Sequence, residues 1–175
     1  MSDLKNQTSI FKTMGGVIRE LNPQSPAEIE LVATRMRQTL IEVVGEEKGG
    51  GMYTMEWLRD RVLWHLDSTK TTSKVLLAED PHGHIAGHAL ARIEVADDKT
   101  DYGYFATVFV EPTYRRKGIA TDFMAQIEKW FVSKNMPKII YNTAETNGRL
   151  IRLFKRHGFV ITLFHSEMVQ LTKML

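Results

Sequence analysis

The chain has 175 residues, close to the usual size of one domain, so a single hydrophobic core spanning 1–175 is expected. Hydrophobic residues at 43% and charged residues at 25% exclude a wholly disordered chain, and 23 Lys and Arg against 21 Asp and Glu leave a net charge of +2, which makes no case for nucleic acid or a membrane surface as partner. No cysteine is present, which excludes a disulfide framework, a thiolate zinc site and a cysteine nucleophile, and fits a reducing, cytoplasmic setting.

Met1 to Thr8 carry no apolar core of signal-peptide type, and residues 1–14 read as a loose segment. No stretch approaches the ~20 apolar residues of a membrane span. Gly16 to Leu21 reads as a short opening strand ended by Asn22-Pro23. Ser25-Pro26-Ala27-Glu28 combines an N-cap Ser, Pro at the first helical position and a Glu closing a capping box. Ile29, Val32, Met36, Leu40 and Val43 then follow at helical spacing towards a stop near Gly45. Glu46 to Gly51 ends in three consecutive glycines, which carry a large ordering cost, and is expected to be a mobile linker. A second helix fits Thr54 to Leu66, with Met55, Leu58, Val62 and Leu66 on one side.

From there the hydrophobic period changes from about 3.6 to 2. Val75 to Ala78 is a short strand closed by a turn at Glu79 to Gly83, and Ile85 to Val95 is a long strand with one small-residue face. Tyr102 to Val110 is the third strand of this run, and Pro112 ends it. Gly118 to Asn135 and Asn147 to His157 read as helices on either side of a strand at Lys138 to Asn142, the second helix stopped by Gly158. Phe159 to Phe164 and Met168 to Leu175 are the last two strands. The order β-α-α-β-β-β-α-β-α-β-β, with hairpins before and after one β-α-β crossover, predicts an α/β (α+β) domain with a mostly antiparallel twisted sheet flanked by helices.

The segment that carries chemistry is Val108 to Thr121. A strand runs into a turn rich in cations and glycine, and the turn opens directly into an amphipathic helix. The unpaired N–H groups of a helix N-terminus suit a phosphate or pyrophosphate, and Gly118 lets backbone approach an anion closely. Arg115, Arg116 and Lys117 add positive charge there, and Ala120 leaves the first turn uncrowded. A basic turn that merely precedes a helix has the same local composition.

Arg115-Arg116-Lys117-Gly118-Ile119-Ala120 resembles the Arg/Gln-x-x-Gly-x-Gly/Ala signature of the GNAT superfamily of acetyl-CoA-dependent N-acetyltransferases. The approach to it, Val108, Val110, Pro112 and Tyr114, has the family's spacing. A second block, Asn147 followed by Leu150, Phe154, Gly158 and Phe159, resembles the family's Asn-x-x-Ala-x-x-x-Tyr-x-x-x-Gly-Phe pattern.

The resemblance implies a GNAT-like sheet over about residues 16–175 and acetyl-CoA as co-substrate, with no metal. Backbone of Val108, Phe109 and Val110 would take the pantetheine arm, and N–H groups from Arg116 through Ile119 and Ala120 to Thr121 would cradle the pyrophosphate. The strands Tyr102–Val110 and Lys138–Asn142 would splay to admit the thioester, and Asn147 would face the cofactor while capping its helix. The N–H of Val110, or of Phe109 in a register one residue different, would stabilise the oxyanion.

Many family members carry a Tyr as general acid where this chain has Phe154, so that role is vacant and Phe154 is left to pack against the cofactor arm and the helix interior. Tyr104 has the parity of Ala106, Val108 and Val110 and stands eleven residues before Arg115, about where some members place a carboxylate base. It is the candidate for positioning a water or moving a proton; Tyr141, on the facing strand, is a second.

His82, His84 and His88 do not suggest a metal: the last two share a strand face but stand ~13 Å apart at ~3.3 Å per residue. The acceptor would be met by the first two helices and their connection, through Glu46, Glu47, Tyr53, Glu56 and Trp57, whose acidic and aromatic character suits a cationic amine. The expected activity is acetyl transfer from acetyl-CoA to a primary amine by direct attack in a ternary complex. A small or antibiotic-like amine is the favoured acceptor, and a homodimer is compatible with the chain. The alternatives are an acetyl-CoA-binding module that has lost turnover, and an acetyltransferase of protein amino groups.

Overall fold

A computed structural model describes residues 8–175. A short helix α1 (Ile10–Thr13) precedes strand β1 (Val17–Glu20), and helices α2 (Pro26–Val44), α3 (Glu46–Gly51) and α4 (Met55–Leu66) follow. Strands β2 (Ser73–Glu79), β3 (Ile85–Val95) and β4 (Asp101–Val110) then lead through a 3₁₀ turn (Pro112–Tyr114) to helix α5 (Ile119–Ser133). Strand β5 (Lys138–Ala144), helix α6 (Gly148–Arg156) and strands β6 (Val160–His165) and β7 (Met168–Met174) complete the order.

The seven strands form one sheet in the order β1-β2-β3-β4-β5-β7-β6. Every neighbouring pair is antiparallel except β4 and β5, which are joined by the α5 crossover. The sheet is buried on both faces. On one, Phe105, Val108 and Val110 of β4 pack with Ile119, Phe123, Ile127 and Phe131 of α5 and with Leu150 and Phe154 of α6. On the other, Val75, Leu77, Ile85 and Leu90 pack with Ile29, Val32, Ala33 and Met36 of α2 and with Leu58 and Val62 of α4.

Helix α2 starts where its signals place it: the Glu28 N–H donates to Ser25 Oγ at 3.3 Å. The Glu28 carboxylate does not complete the expected capping box. It accepts from the Asn22 N–H at 2.8 Å and binds Arg19, and that guanidinium is the main reason its carboxyl lies below the usual carboxylate range.

The expected linker at 46–51 is instead α3, folded back on α2. Gly49 is buried there, and a Cβ on it would stand 2.6 Å from backbone atoms of Leu40 and Ile41. Of the three glycines that look like flexibility in the sequence, Gly49 serves close helix–helix contact. The loose N-terminal segment is likewise ordered over its described part: Phe11 is buried in the main core and its N–H donates to the Lys117 carbonyl at 2.9 Å. Residues 1–7 lie outside the described residues.

Arg35 of α2 is buried and binds the Ile85 carbonyl and the Glu111 carboxylate, which also pairs with His84 at 2.6 Å. This fastens α2 to the end of β4. Removing one partner of such a pair leaves charge stranded, so Arg35→Ala is expected to cost about 3 kcal/mol in urea unfolding. A loss below about 1 kcal/mol would mean that the pair does not hold this corner.

Two buried histidines predict acid sensitivity. Burial pushes His88 down to about 3 and His65 down to about 4, against about 6.5 in an unfolded chain. As pH falls below about 6.5 the unfolded state takes up these protons first, so stability declines by up to ~1.4 kcal/mol per pH unit for each histidine until the folded-state values are reached. Urea titrations at pH 7, 6 and 5 should show this slope, made shallower in His88→Leu; an unchanged folding free energy from pH 7 to 5 would contradict it.

Candidate functional site

The site is organised by a break in the sheet. Strands β4 and β5 pair only at Gly103–Phe105 against Ile139–Tyr141, although β4 runs on to Val110 and β5 to Ala144. Beyond that ladder they diverge and leave a slot. A β-bulge helps to produce it: Leu90 faces Thr107 while the next residue, Ala91, faces Phe105, so Ala106 is the extra residue on β4.

The bulge inverts the side-chain parity that plain alternation predicts. Val108 and Val110 point into the α5–α6 core with Phe105, whereas Ala106 packs on the α2–α4 side. Tyr104 is on that same side, and so does not share a face with Val108 and Val110.

Backbone direction follows from the ladder with β3. The Glu111 N–H donates to the Ala86 carbonyl at 2.9 Å, so by alternation the N–H and C=O of Phe109 also face β3, and those of Val108 and Val110 face the slot. The Val110 carbonyl is taken there by Arg115 Nε at 2.8 Å. Of the two candidate oxyanion donors, Val110 is the one aimed at the opening.

At the slot's α5 side lies a cleft of about 460 Å³. Its walls are Val108, Val110, Tyr114, Arg115, Arg116, the first helical turn from Gly118 to Thr121, and the α6 face Arg149, Leu150, Leu153 and Arg156. Among the described residues, four that bear a guanidinium and no carboxylate line it. Arg116 (φ 63°) and Gly118 (φ 89°) both adopt the left-handed conformation, which turns the loop into the helix. A Cβ on Gly118 would also strike Ser9, part of the N-terminal segment that backs the loop. Ser9 Oγ donates to Asp122 at 2.6 Å, so α5's first turn is braced from behind.

Glu42, at the end of α2, accepts from Arg115 at 3.1 Å and Arg149 at 3.3 Å, tying the loop to α6. Burial and the neighbouring Arg115 hold the Arg149 guanidinium below its usual basicity. Such crowding of positive charge favours an anion in the cleft.

Other expected contributors stand elsewhere. Phe109 packs on the opposite face, stacked on His88 with ring centroids 5.8 Å apart and lying 5.4 Å from the Arg35 guanidinium carbon. Lys117 directs its ammonium over the Tyr114 ring at 5.1 Å, outside the cleft walls. Asn147 occupies the N-cap position of α6 but makes no side-chain cap; its Nδ2 donates to Thr143 Oγ1 at 3.0 Å, and it lines a second cavity of about 430 Å³ with Glu42 and Arg115. Phe154 is fully enclosed, stacked on Tyr141 at 3.8 Å with Phe105 and Phe159 at its edges. Tyr141 is buried in the same cluster, which raises its pKa, whereas Tyr104 is half-buried. Asn142 Nδ2 donates to Tyr104 OH at 3.5 Å, joining β5 to β4 beside the opening.

Of the expected acceptor residues, Tyr53 and Trp57 stack on each other at 4.1 Å and are exposed, while Glu46 and Glu47 lie on the exposed surface of α3. None of them lines either cavity. Sequence inspection missed Arg149, Leu153 and Arg156. Their spacing of four and three residues puts them on one helical face, a signal that was present but had no reason to be tied to Arg115 before the strands were seen to diverge.

The chain matches the model of the acetyltransferase (GNAT) family over residues 34–159. Among solved structures it resembles the PaiA N-acetyltransferase from Thermoplasma acidophilum in complex with coenzyme A, at TM-score 0.70 and 15% identity over 91% of this chain and 99% of that one. It also resembles the NatC complex bound to Gag peptide and CoA, at TM-score 0.69 and 16% identity over 91% and 98%. Ard1 from Thermoplasma volcanium is similar at TM-score 0.65 and 21% identity over 91% and 97%. At these identities the likeness to the structures is one of fold.

Proposed function

The chain belongs to the acetyltransferase (GNAT) family, and from that premise we propose that it moves the acetyl group of acetyl-CoA to a primary amine by direct attack in a ternary complex. It is an acetyl-CoA-dependent acyltransferase by family; the acceptor class and the residue roles are the proposal. The observation that carries it is the pairing of the β4–β5 slot, faced by the Val110 N–H, with a cationic cleft at the start of α5.

The cleft suits the co-substrate. Arg115, Arg116, Arg149 and Arg156 match a nucleotide's phosphates, the first-turn N–H groups of α5 suit its pyrophosphate, and Val108, Leu150 and Leu153 offer apolar wall for the arm. Acetyl-CoA supplies an activated acetyl thioester. The chain has no cysteine to accept the acetyl group, which favours direct attack over a cysteine-linked intermediate.

Two tasks fall to this chain's own groups. The Val110 N–H donates to the carbonyl oxygen as it gains charge. Tyr104, held by Asn142, orients a water or moves the amine's proton. The amine enters from the α2–α4 face, because the cleft on the α5–α6 face takes the co-substrate. Phe154, enclosed and without a hydroxyl, donates no proton, so the departing thiolate is left to water or to Tyr104.

Initial rates test direct attack: double-reciprocal lines for acetyl-CoA at several amine concentrations should intersect, and parallel lines would indicate a covalent acetyl-enzyme. Charge in the cleft predicts a salt effect as well. Affinity for CoA should fall as ionic strength rises, since exposed charges are screened over about 8–10 Å, whereas a phosphate-free pantetheine fragment should hardly respond. Equal salt sensitivity in calorimetric titrations of both would remove the arginines from phosphate binding.

A further inference from the structure

We propose that the acceptor amine carries a carboxylate, gripped by Arg61 and Arg92 at the mouth of the slot on the α2–α4 face. This rests on the acetyl-transfer reading and names the substrate class of that same site.

The slot passes through the sheet, so it has two mouths. One opens on the α5–α6 cleft. At the other stand Tyr104 of β4 and Asn142 of β5, in contact with each other. Arg92 of β3 is the direct cross-strand partner of Tyr104, and its guanidinium carbon lies 4.5 Å from the Tyr104 ring centroid.

Trp64 of α4 stands between two arginines, with the Arg61 guanidinium carbon 4.2 Å from its ring and that of Arg92 5.8 Å away. An aromatic face holds a guanidinium in place without neutralising it. His65 adds a second restraint: its Nδ1 lies 2.7 Å from the Arg61 carbonyl and its Nε2 3.2 Å from Arg92 Nη1. A neutral ring with the proton on Nδ1 satisfies both contacts, and burial keeps this histidine neutral, pushed down to about 4. His65 therefore aims Arg92 and cancels none of its charge.

The charge balance at this mouth is positive. Glu94 pairs with Arg92 through Nε, whereas Arg61 has no ion pair among the described residues and is half-buried. Two guanidiniums thus share one carboxylate. Arg61 is held below its usual basicity first by burial and next by Arg92, with Glu94 offsetting only part of this. A second anion would relieve both costs. The planar fork of a guanidinium binds a carboxylate through two parallel N–H···O bonds, and Tyr53, just before the same helix, stacks on Trp57 in its first turn.

This reverses the preference suggested by the acidic residues at 46 and 47. None of the contacts made by the Arg61 or Arg92 side chains involves Glu46 or Glu47. A polycationic amine brought to Tyr104 would meet like charge, whereas an amino acid or a related amino carboxylate would meet its complement.

The test compares amines that differ only in the carboxylate: lysine with 1,5-diaminopentane, tyrosine with tyramine, tryptophan with tryptamine, β-alanine with ethylamine. Rates are taken as kcat/KM per unprotonated amine by CoA thiol release. At least one carboxylated member should exceed its partner by about tenfold to a hundredfold, the range of a charge-assisted hydrogen-bond pair. Arg61→Ala should bring that ratio towards one, and Arg61→Lys should keep part of it, while unchanged thermal melting confirms folded protein. Equal rates, faster decarboxylated partners, or a ratio that survives Arg61→Ala would overturn the proposal. Absence of turnover with every amine while acetyl-CoA still binds is a different failure: it would remove the small-amine acceptor itself, and this proposal with it.

Discussion

Tyr104→Phe is expected to lower kcat by roughly 10²–10⁴-fold, the contribution of a positioned acid or base, with acetyl-CoA affinity unchanged. The hydroxyl is the only part of the side chain removed, and the ring keeps its place over Arg92. Folding should be nearly unaffected, because Tyr104 is half-buried and its OH makes one long contact with Asn142. Asn142→Ala is the companion variant. If Asn142 acts by holding the Tyr104 hydroxyl, it should lower kcat less than Tyr104→Phe does and add little to it in the double variant. A Tyr104→Phe enzyme with wild-type kcat would take the hydroxyl out of the proton steps.

The second large effect is expected at Gly118. A valine there must hold a left-handed backbone, at about 1–3 kcal/mol, and its side chain would meet Ser9. Gly118→Val should therefore destabilise the fold and also weaken CoA binding, because the helix N-terminus is displaced. Pairing it with Ser9→Gly separates the two causes. That change opens the space behind the loop but leaves the backbone strain. Since it also removes the Ser9–Asp122 hydrogen bond, the reference is Ser9→Gly alone, against which the valine should cost less stability than in the wild type while affinity stays low. Full recovery of both would mean that Gly118 serves only the contact with the N-terminal segment.

These two positions also mark how far the sequence could be read. Gly118 was visible as part of a strand–turn–helix motif whose spacing is local, and the expected α2, α5, α6 and crossover strands all stand within a few residues of their observed limits. Local signals of this kind depend on a handful of adjacent residues and survive folding. Tyr104 was visible as a candidate, but its face was not. One extra residue at Ala106 turns every side chain beyond it to the other side, and nothing in the composition of Phe105-Ala106-Thr107 announces a bulge.

The same limit explains α3. Three glycines lower helical propensity, yet Gly49 is there because α2 comes within contact distance, a fact of tertiary packing. Phe11 was set aside with a polar segment although one buried aromatic ring is enough to dock it. The acceptor side was the least legible, because Arg61, Trp64, Arg92 and Tyr104 come from three elements separated by long stretches of chain. Only pairing of β3 with β4 under α4 brings them together.

Acceptor-dependent release of CoA tests acetyl transfer at the slot most directly. Purified protein with acetyl-CoA and a panel of amines, followed by thiol detection and by mass spectrometry of the amine, should give release well above the no-acceptor rate and an equal amount of acetylated amine. Saturable thermal stabilisation by acetyl-CoA, together with no release above background for any amine and no acetylated product, would contradict acetyl transfer and leave a protein that binds acetyl-CoA without turning it over.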